Sequence, residues 1–487
     1  MPLSDLPGAI GPSYLGTAIE ADAERCVNLI AEKIEANGKA NFYYTKVPGL
    51  SAPVVTLGST GGVQAGVYIN GRRFFIVGDA LWEVTGSATP FSAVNRGAVG
   101  PLSGQYIYYS MAVNIRGNQL LIASNNVTSL FDLTSNTFTA SVTTPEVFLQ
   151  VDECDGYFLG LAASGNFYIS AFQNGASWNA LNFAFEETPD LTMAFKVCNR
   201  RLWMFGSQHI ELYVDSGDPN FPFTRDQSVY VEGGAYRNSL VIADNTIFGI
   251  AVNAGGASWA FRLEGITPKR ISTHAIETSW QKYSTVRDII PVAYQENGHT
   301  ILVFHFPSGN ASWAYDIATD LWSERGAWNN STQAWDRDWG AVHIYDANLQ
   351  MHLVGDYRNQ NIYQQSQQYF DFNGTPIYWM RRFPGVQTDQ TGVLYDLVRL
   401  ILQTGVSGTL PATVSPTVTL RKSDDGGYTW SSKYVQTANV GISANYNKRV
   451  EWTQLGWSTD RIFEISGHDP IPLAILALKG SVRPCFT

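Results

Sequence analysis

The sequence predicts an all-β protein: a β-propeller of about seven blades, then a C-terminal β-sandwich, with an extended arm at the N-terminus. Three observations predict it. Charged residues make up only 15% of the chain while aromatics reach 13% and glycine fills 44 of 487 positions, a composition suited to many short strands and tight turns. A unit of apolar strand, polar turn, apolar strand, glycine-bearing turn and aromatic strand occurs seven times. Its first turns, at Gly71, Gly117, Gly156, Asn199, Asp244, Gly298 and Ala347, follow one another at intervals of 39 to 54 residues, the period of a four-stranded blade.

Taken in order, residues 1–50 are the arm, with AERCVNLIAEKIEANGKA (23–40) readable as a helix or an irregular segment before FYYTKVPGL (42–50). Residues 51–370 hold the repeats. They read GVYINGRRFFIVGDALWEV (66–84), AVNIRGNQLLIASNNVTSLFDL (112–133), QVDECDGYFLGLAASGNFYIS (150–170) and AFKVCNRRLWMFGSQHIELYV (194–214). Three more are VIADNTIFGIAVNAGGASWAFRL (241–263), IPVAYQENGHTILVFHFPSGNASWAYDI (290–317) and AVHIYDANLQMHLVGDYRNQNIYQQ (341–365). Each turns at residues that take positive φ cheaply, and radial blades leave only short edges to protect. Residues 371–487 break the repeat with NGTPIYWMRRFPGVQ (373–387) and continue as LVRLILQ (397–403), TVTLRKS (417–423), RVEWTQLGW (449–457), RIFEISG (461–467) and IPLAILALKG (471–480), a sandwich pattern.

Charge argues against wrapping nucleic acid by phosphate neutralisation, because the net charge is −10. It is also uneven: residues 371–487 carry 11 basic and 9 acidic groups, +2, which leaves −12 for residues 1–370. Cys26, Cys154, Cys198 and Cys485 lie far apart with no CxxC pair and are expected to be reduced thiols. The opening MPLSDLPGAIG has neither a basic n-region nor an apolar h-region, and no apolar run suits a membrane span, so folding in a cytoplasm is expected.

SDDGGYTW fits the Asp-box turn SxDxGxTW, with Ser423, Asp425, Gly427, Thr429 and Trp430 in the motif positions; its expected role is structural. WDRDWG places Asp336 and Asp338 on one face of a strand, as a two-carboxylate glycosidase would, but such a pair is more often a solvated loop end. Trp313, Trp322 and Trp328 are of a kind to stack sugars, yet blade packing is the favoured reading. The seven histidines, His209, His274, His299, His305, His343, His352 and His468, form no HExxH or closely spaced ligand pair, and His305 in LVFHF is expected to point outward. There is no GxSxG elbow, no phosphate loop and no dinucleotide fingerprint, so no catalytic, cofactor or metal residue is assigned and the protein is not expected to be an enzyme.

RCVNLIAEKIEANGKANFYYTKVPGL (25–50), with its R-x-V-N-L and P-G-L elements, resembles the opening of the packaged-DNA stabilisation or tail-nozzle proteins of short-tailed phages. MFGSQHIELY (204–213) is similar to that family's blade segment F-G-S-x-x-I-E, and NYNKRVEWTQLGWSTDRIFEISGHDPIPLAILALKG (445–480) to its C-terminal segment. The resemblance spans essentially the whole chain. It implies a virion protein, assembled in the host cytoplasm, that forms a ring, typically a homohexamer, below the portal and its adaptor ring. Such a ring extends the DNA channel, seats a plug or needle beside tail fibres or spikes, and retains the genome until ejection, DNA passing without sequence-specific binding. No catalytic residue or cofactor comes with the family.

An acidic wall on the repeat region would let a duplex slide without sticking. The near-neutral C-terminal region, with Arg381, Arg382, Lys448 and Arg449, is the candidate for subunit or adaptor contacts. The alternative function is a glycan-binding or glycan-degrading virion propeller, and a third is an intracellular kelch-like interaction platform.

Overall fold

In the computed structural model, whose described residues are all but 1–2, 7, 17–21, 36–40, 103–107, 185–191, 219–220, 232–233, 254, 387–391, 407, 432–435 and 486–487, seven antiparallel four-stranded units follow one another. Blade 1 is Val63–Ile69, Arg72–Val77, Ala80–Thr85 and Ser92–Ala98. Blades 2 to 5 begin at Ser110, Phe148, Ala194 and Gly234, and blade 5 splits its first strand into Gly234–Ala235 and Val241–Ala243. Blade 6 is Ile290–Glu296, His299–Phe306, Ala311–Asp316 and Leu321–Arg325. Blade 7 has only three strands of its own, Gly340–Asp346, Met351–Asp356 and Asn361–Ser366; its fourth is Gly49–Thr56 from the N-terminal segment. First strands of successive blades lie side by side, except that blade 4's meets blade 5 at Thr246–Val252 and Arg237–Ser239, and that of blade 7 returns to that of blade 1, closing the ring.

The turns show why the repeat was legible. Asn70–Gly71, Asp155–Gly156, Asn199–Arg200, Asp244–Asn245 and Asn297–Gly298 all hold two consecutive residues at positive φ, the geometry whose twist matches a tight hairpin. Blades 2 and 7 use longer turns, and there Asn118 and Gln350 take the left-handed position instead of Gly117 and Ala347.

Neighbouring blades meet through apolar clusters. Phe74, Ile76 and Leu81 of blade 1 pack on Leu120, Ile122 and Phe131 of blade 2, and Phe75 and Val77 pack on Ile344 and Leu353 of blade 7. Between blades 5 and 6, Trp313 and Trp322 join Phe248, Ile250 and Trp280, the last residue of the short helix His274–Trp280. The seam between blades 6 and 7 differs, because His305, Arg325 and Asp338 share it around a cavity of about 30 Å³.

Blade 6 does not end at its fourth strand. Leu321–Arg325 pairs in parallel with Ala23–Val27, which pairs with Trp379–Pro384, then Ile462–Gly467, Thr417–Ser423 and Gln436–Asn439; with Tyr14–Leu15 added on Ala23–Val27, this gives one continuous ten-stranded sheet. A second sheet runs Leu29–Lys33, Phe42–Lys46, Ala474–Cys485, Gly392–Leu402 and Val450–Ser458. Both sheets contribute to one core that includes Cys26, Leu29, Tyr44, Phe383, Val398, Trp452, Phe463 and Leu478. The arm is therefore extended, and its strands are shared among blade 7 and these two sheets. Of the stretch 23–40, open to a helical reading, the described part holds two strands, Ala23–Val27 and Leu29–Lys33, separated by Asn28 at φ 54°, and 36–40 lie outside the described residues. Ladder partners on both sides and burial of Cys26, Val27, Leu29, Ile30 and Ala31 override the local helical pattern.

Val55, 7% exposed, lies in the strand that completes blade 7, whereas Ile115 is 67% exposed in a turn. Val55→Asp is expected to lower the melting temperature by about 5 °C or more, and Ile115→Asp to change it by about 1 °C at most. Equal melting of the two variants by differential scanning calorimetry would contradict this closure.

Candidate functional site

A densely bonded region is the junction where the N-terminal strands, blade 6 and the C-terminal sheets meet. Asn28 carries it. Its buried Nδ2 donates to the carbonyls of Gly326 and Tyr378, each at 2.7 Å, while its Oδ1 accepts from Gly326 N at 3.0 Å. Its backbone N–H bonds Glu324 O at 2.9 Å, and its own carbonyl accepts from Val47 N at 3.2 Å. Positive φ, which asparagine tolerates better than most residues, turns the chain from the first sheet to the second at this point.

Charged side chains surround that joint. Arg25 makes a two-pronged contact with Glu324, at 3.0 and 2.6 Å, and Ser13 Oγ adds a third bond to the same carboxylate at 3.0 Å. Burial raises the Glu324 pKa, but the charge and hydrogen bonds of Arg25 outweigh it and hold the group below the usual carboxylate range. Arg382 and Arg421 both bond Glu464, and both guanidinium groups lie over the Trp430 ring, at 4.4 and 4.9 Å from its centroid.

Further out, His299 bridges Asp316 of its own blade at 2.8 Å and Glu32 of the arm at 3.0 Å. The hydrogen bond to Asp316 leads its causes, and the imidazole pKa is raised to about 9. Buried Lys46 donates to the carbonyls of Phe370 and Asp469, with burial pulling its pKa down to about 8. On the axial side, His343 and His352 face each other at 3.1 Å beside a cavity of about 480 Å³.

The family model described as "Bacteriophage P22 Gp10, beta-propeller", of the phage stabilisation family, matches residues 22–369. The chain belongs to this family. The match begins beside Ala23–Val27 and stops before Asp371, so it takes in the N-terminal strands of the junction and all seven blades. A phage-stabilisation propeller is accordingly a structural phage protein. None of the curated proteins matches the sequence. Solved structures similar in shape include the WD40 β-propeller domain of Doa1, at 9% identity and TM-score 0.40, covering 65% of this chain and 97% of that one. The mitotic checkpoint complex aligns at 8% identity and TM-score 0.42, over 69% of this chain and 95% of that one. The extracellular domain of BT4673 from B. thetaiotaomicron aligns at 10% identity and TM-score 0.41, over 86% and 58%.

Within this phage-stabilisation propeller the predicted residues separate. In the Asp-box segment, Asp425 accepts from Ser423 Oγ at 2.6 Å and from Thr429 N at 2.9 Å, and Gly427 N donates to Ser423 Oγ. Those hydrogen bonds, Ser423 first, pull the Asp425 pKa down to about 2. Arg381, placed by sequence at a subunit or adaptor contact, is instead wholly buried. It donates to the carbonyls of Gly8, Ala9, Pro12 and Arg25 and to Glu24, so it clamps the N-terminal segment and no surface partner can reach it. Arg382 is also engaged, with 13% of its side chain exposed. Lys448 and Arg449 are exposed.

Asp336, at the end of the strand Ala334–Asp336, accepts from Asn310 and Asn329, while half-buried Asp338 accepts from Gly340 N and its pKa is raised by burial; both carboxylates are occupied by hydrogen bonds. Trp313 and Trp322 are buried between blades. His305, expected outward, is buried with Nδ1 on Ser312 Oγ at 2.8 Å, because its strand is covered on both faces; burial lowers its pKa to about 3. Cys26, Cys154 and Cys198 are buried free thiols, and the side chain of Cys485 lies outside the described residues. Among the described residues, no group of three or more histidine, cysteine, aspartate or glutamate side chains is gathered in metal-binding fashion.

Asn28→Ala removes three side-chain bonds and strains the left-handed backbone, so a loss of about 2–4 kcal/mol is expected; Asn28→Gly, which removes only the bonds, should lose less. Chemical denaturation of both variants checks the order. For His299 the folded pKa lies above its ordinary 6.5. Its stabilisation is therefore complete below about pH 6.5 and disappears as pH rises through about 9. The melting difference between the parent and His299→Gln should close across that window.

Proposed function

We propose that this phage-stabilisation protein is a ring-forming subunit of a short-tailed phage tail, seated below the portal and adaptor. There it extends the DNA channel, seats a plug or needle, and retains packaged DNA until ejection. The observation that carries the reading, beyond family membership, is the ten-stranded sheet that runs without interruption from blade 6 into the C-terminal strands. A hydrogen-bonded ladder makes propeller and C-terminal sheets one rigid wedge, and a rigid wedge is what closed rotational symmetry requires of a subunit.

The charge distribution supports a role for each part. Residues 1–370 carry −12, so a ring of about six copies would present an acidic surface that repels phosphates and keeps a threaded duplex mobile. Subunit or adaptor contact falls to the C-terminal surface, where Lys448 and Arg449 lie close in sequence to exposed Tyr446, at 71%, and Ile442, at 46%. Aromatic and arginine side chains of this kind are the usual anchors of protein interfaces.

Light scattering and negative-stain imaging of the chain, alone and with portal–adaptor complexes, test the proposal. Rings of about six copies are expected, formed alone or on the adaptor. The double substitution Lys448→Glu, Arg449→Glu should weaken ring or adaptor binding by about tenfold or more without changing the melting temperature. A persistent monomer that ignores the adaptor would overturn the assignment.

A further inference from the structure

The hairpin of blade 7 sets two imidazoles side by side without another described purpose. Tyr345 pairs directly with His352 across the ladder, and His343 pairs with Val354, so His343 and His352 are diagonal neighbours on one face. Their nitrogens, Nε2 of His343 and Nδ1 of His352, stand 3.1 Å apart. Tyr294 of blade 6 stacks on His343, with ring centroids 5.2 Å apart and 30° between planes, and Tyr345 lies 4.8 Å from the His352 ring. Both imidazoles are thus held in orientation by aromatic neighbours.

We propose that His343 and His352 form a two-imidazole chelate for a borderline divalent transition-metal ion, Cu²⁺ ahead of Ni²⁺ and Zn²⁺. The nitrogen separation is close to what such an ion needs. With metal–nitrogen bonds of about 2.0–2.1 Å, nitrogens at this separation subtend about 95–100° at the metal, between the tetragonal right angle and the tetrahedral angle. A change of a few tenths of an ångström in the N–N separation serves either, and each ring must also turn by about 40° to bring its lone pair off the N–N line and onto the metal. One ring now holds a proton between the two nitrogens; on metal binding that ring takes its other tautomer, leaving a lone pair on each ligating nitrogen and releasing no net proton. Both rings border the cavity of about 480 Å³, which Gln295 and Thr300 of blade 6 also line, so water can fill the remaining coordination positions. Affinity should follow the general order for nitrogen ligands, in which copper exceeds nickel and zinc.

The test uses the full, untagged chain, treated with chelator and then titrated with Cu²⁺, Ni²⁺ or Mg²⁺ by calorimetry, with electron paramagnetic resonance of the copper-loaded sample. One saturable equivalent of Cu²⁺ is expected, with nitrogen coupling from two imidazoles and no response to Mg²⁺. His343→Asn and His352→Asn should each weaken binding by about tenfold or more, whereas His274→Asn, in the exposed helix, should not. Melting curves accompany each variant. If His343→Asn fails to fold, His352→Asn and the two-nitrogen spectrum still decide the matter. Absence of saturable Cu²⁺ binding below about 1 mM, or binding that survives His352→Asn unchanged, would overturn the proposal.

Discussion

A single buried amide, that of Asn28, is the constraint on which the two parts of the molecule depend. It satisfies two carbonyls and one N–H belonging to Gly326 and Tyr378, groups that would otherwise lie unpaired where blade 6 ends and the C-terminal strands begin. An unpaired buried polar group is costly, so this joint admits one register only. The ion pairs around it serve the same end. Arg25 with Glu324 and Arg381 with its ring of carbonyls add modestly to stability, because desolvation opposes them, but a slipped strand would strand a buried charge.

The junction also answers a weakness of the propeller. Six of the seven seams are closed by apolar clusters, whereas His305, Arg325 and Asp338 occupy the seam between blades 6 and 7. That seam is braced from outside. Ile30, Val47 and Leu50 of the N-terminal strands pack with Trp339, Val354 and Tyr363 of blade 7 and with Ala327, just beyond blade 6. Gly49 makes this approach possible, since a Cβ there would stand 2.5 Å from the Tyr369 carbonyl oxygen. The R-x-V-N-L and P-G-L elements at Arg25–Leu29 and Pro48–Leu50 thus have separate physical reasons: the first joins blade 6 to the C-terminal strands, and the second enters the sheet of blade 7.

Much of this was legible in sequence because its causes are local. Asn–Gly and Asp–Gly turns and period-two alternation fix the blades within about 45 residues each, and no distant partner is needed to read them. Features with distant causes were not legible. Gly49–Thr56 completes a sheet whose other strands lie some 300 residues away, and the alternation of AERCVNLIAEK is masked by a helix-like polar pattern until Asn28 is seen to break it. Arg381 reads as a surface cation because its partners are backbone carbonyls, which carry no residue signature. His343 and His352 are nine positions apart, a spacing that means nothing until the hairpin register is known.

The parallel pairing of Val27 with Glu324 has a consequence in time. A ribosome that has just released Val27 must add nearly three hundred residues before the strand's partner exists, about 15–60 s at ordinary elongation rates. The five intervening blades can form during that interval, yet the ring cannot close, and apolar strands Ala23–Val27 and Gly49–Thr56 wait unpaired. Closure is therefore a late event, and these two strands stay exposed while the blades between them and their partners are made.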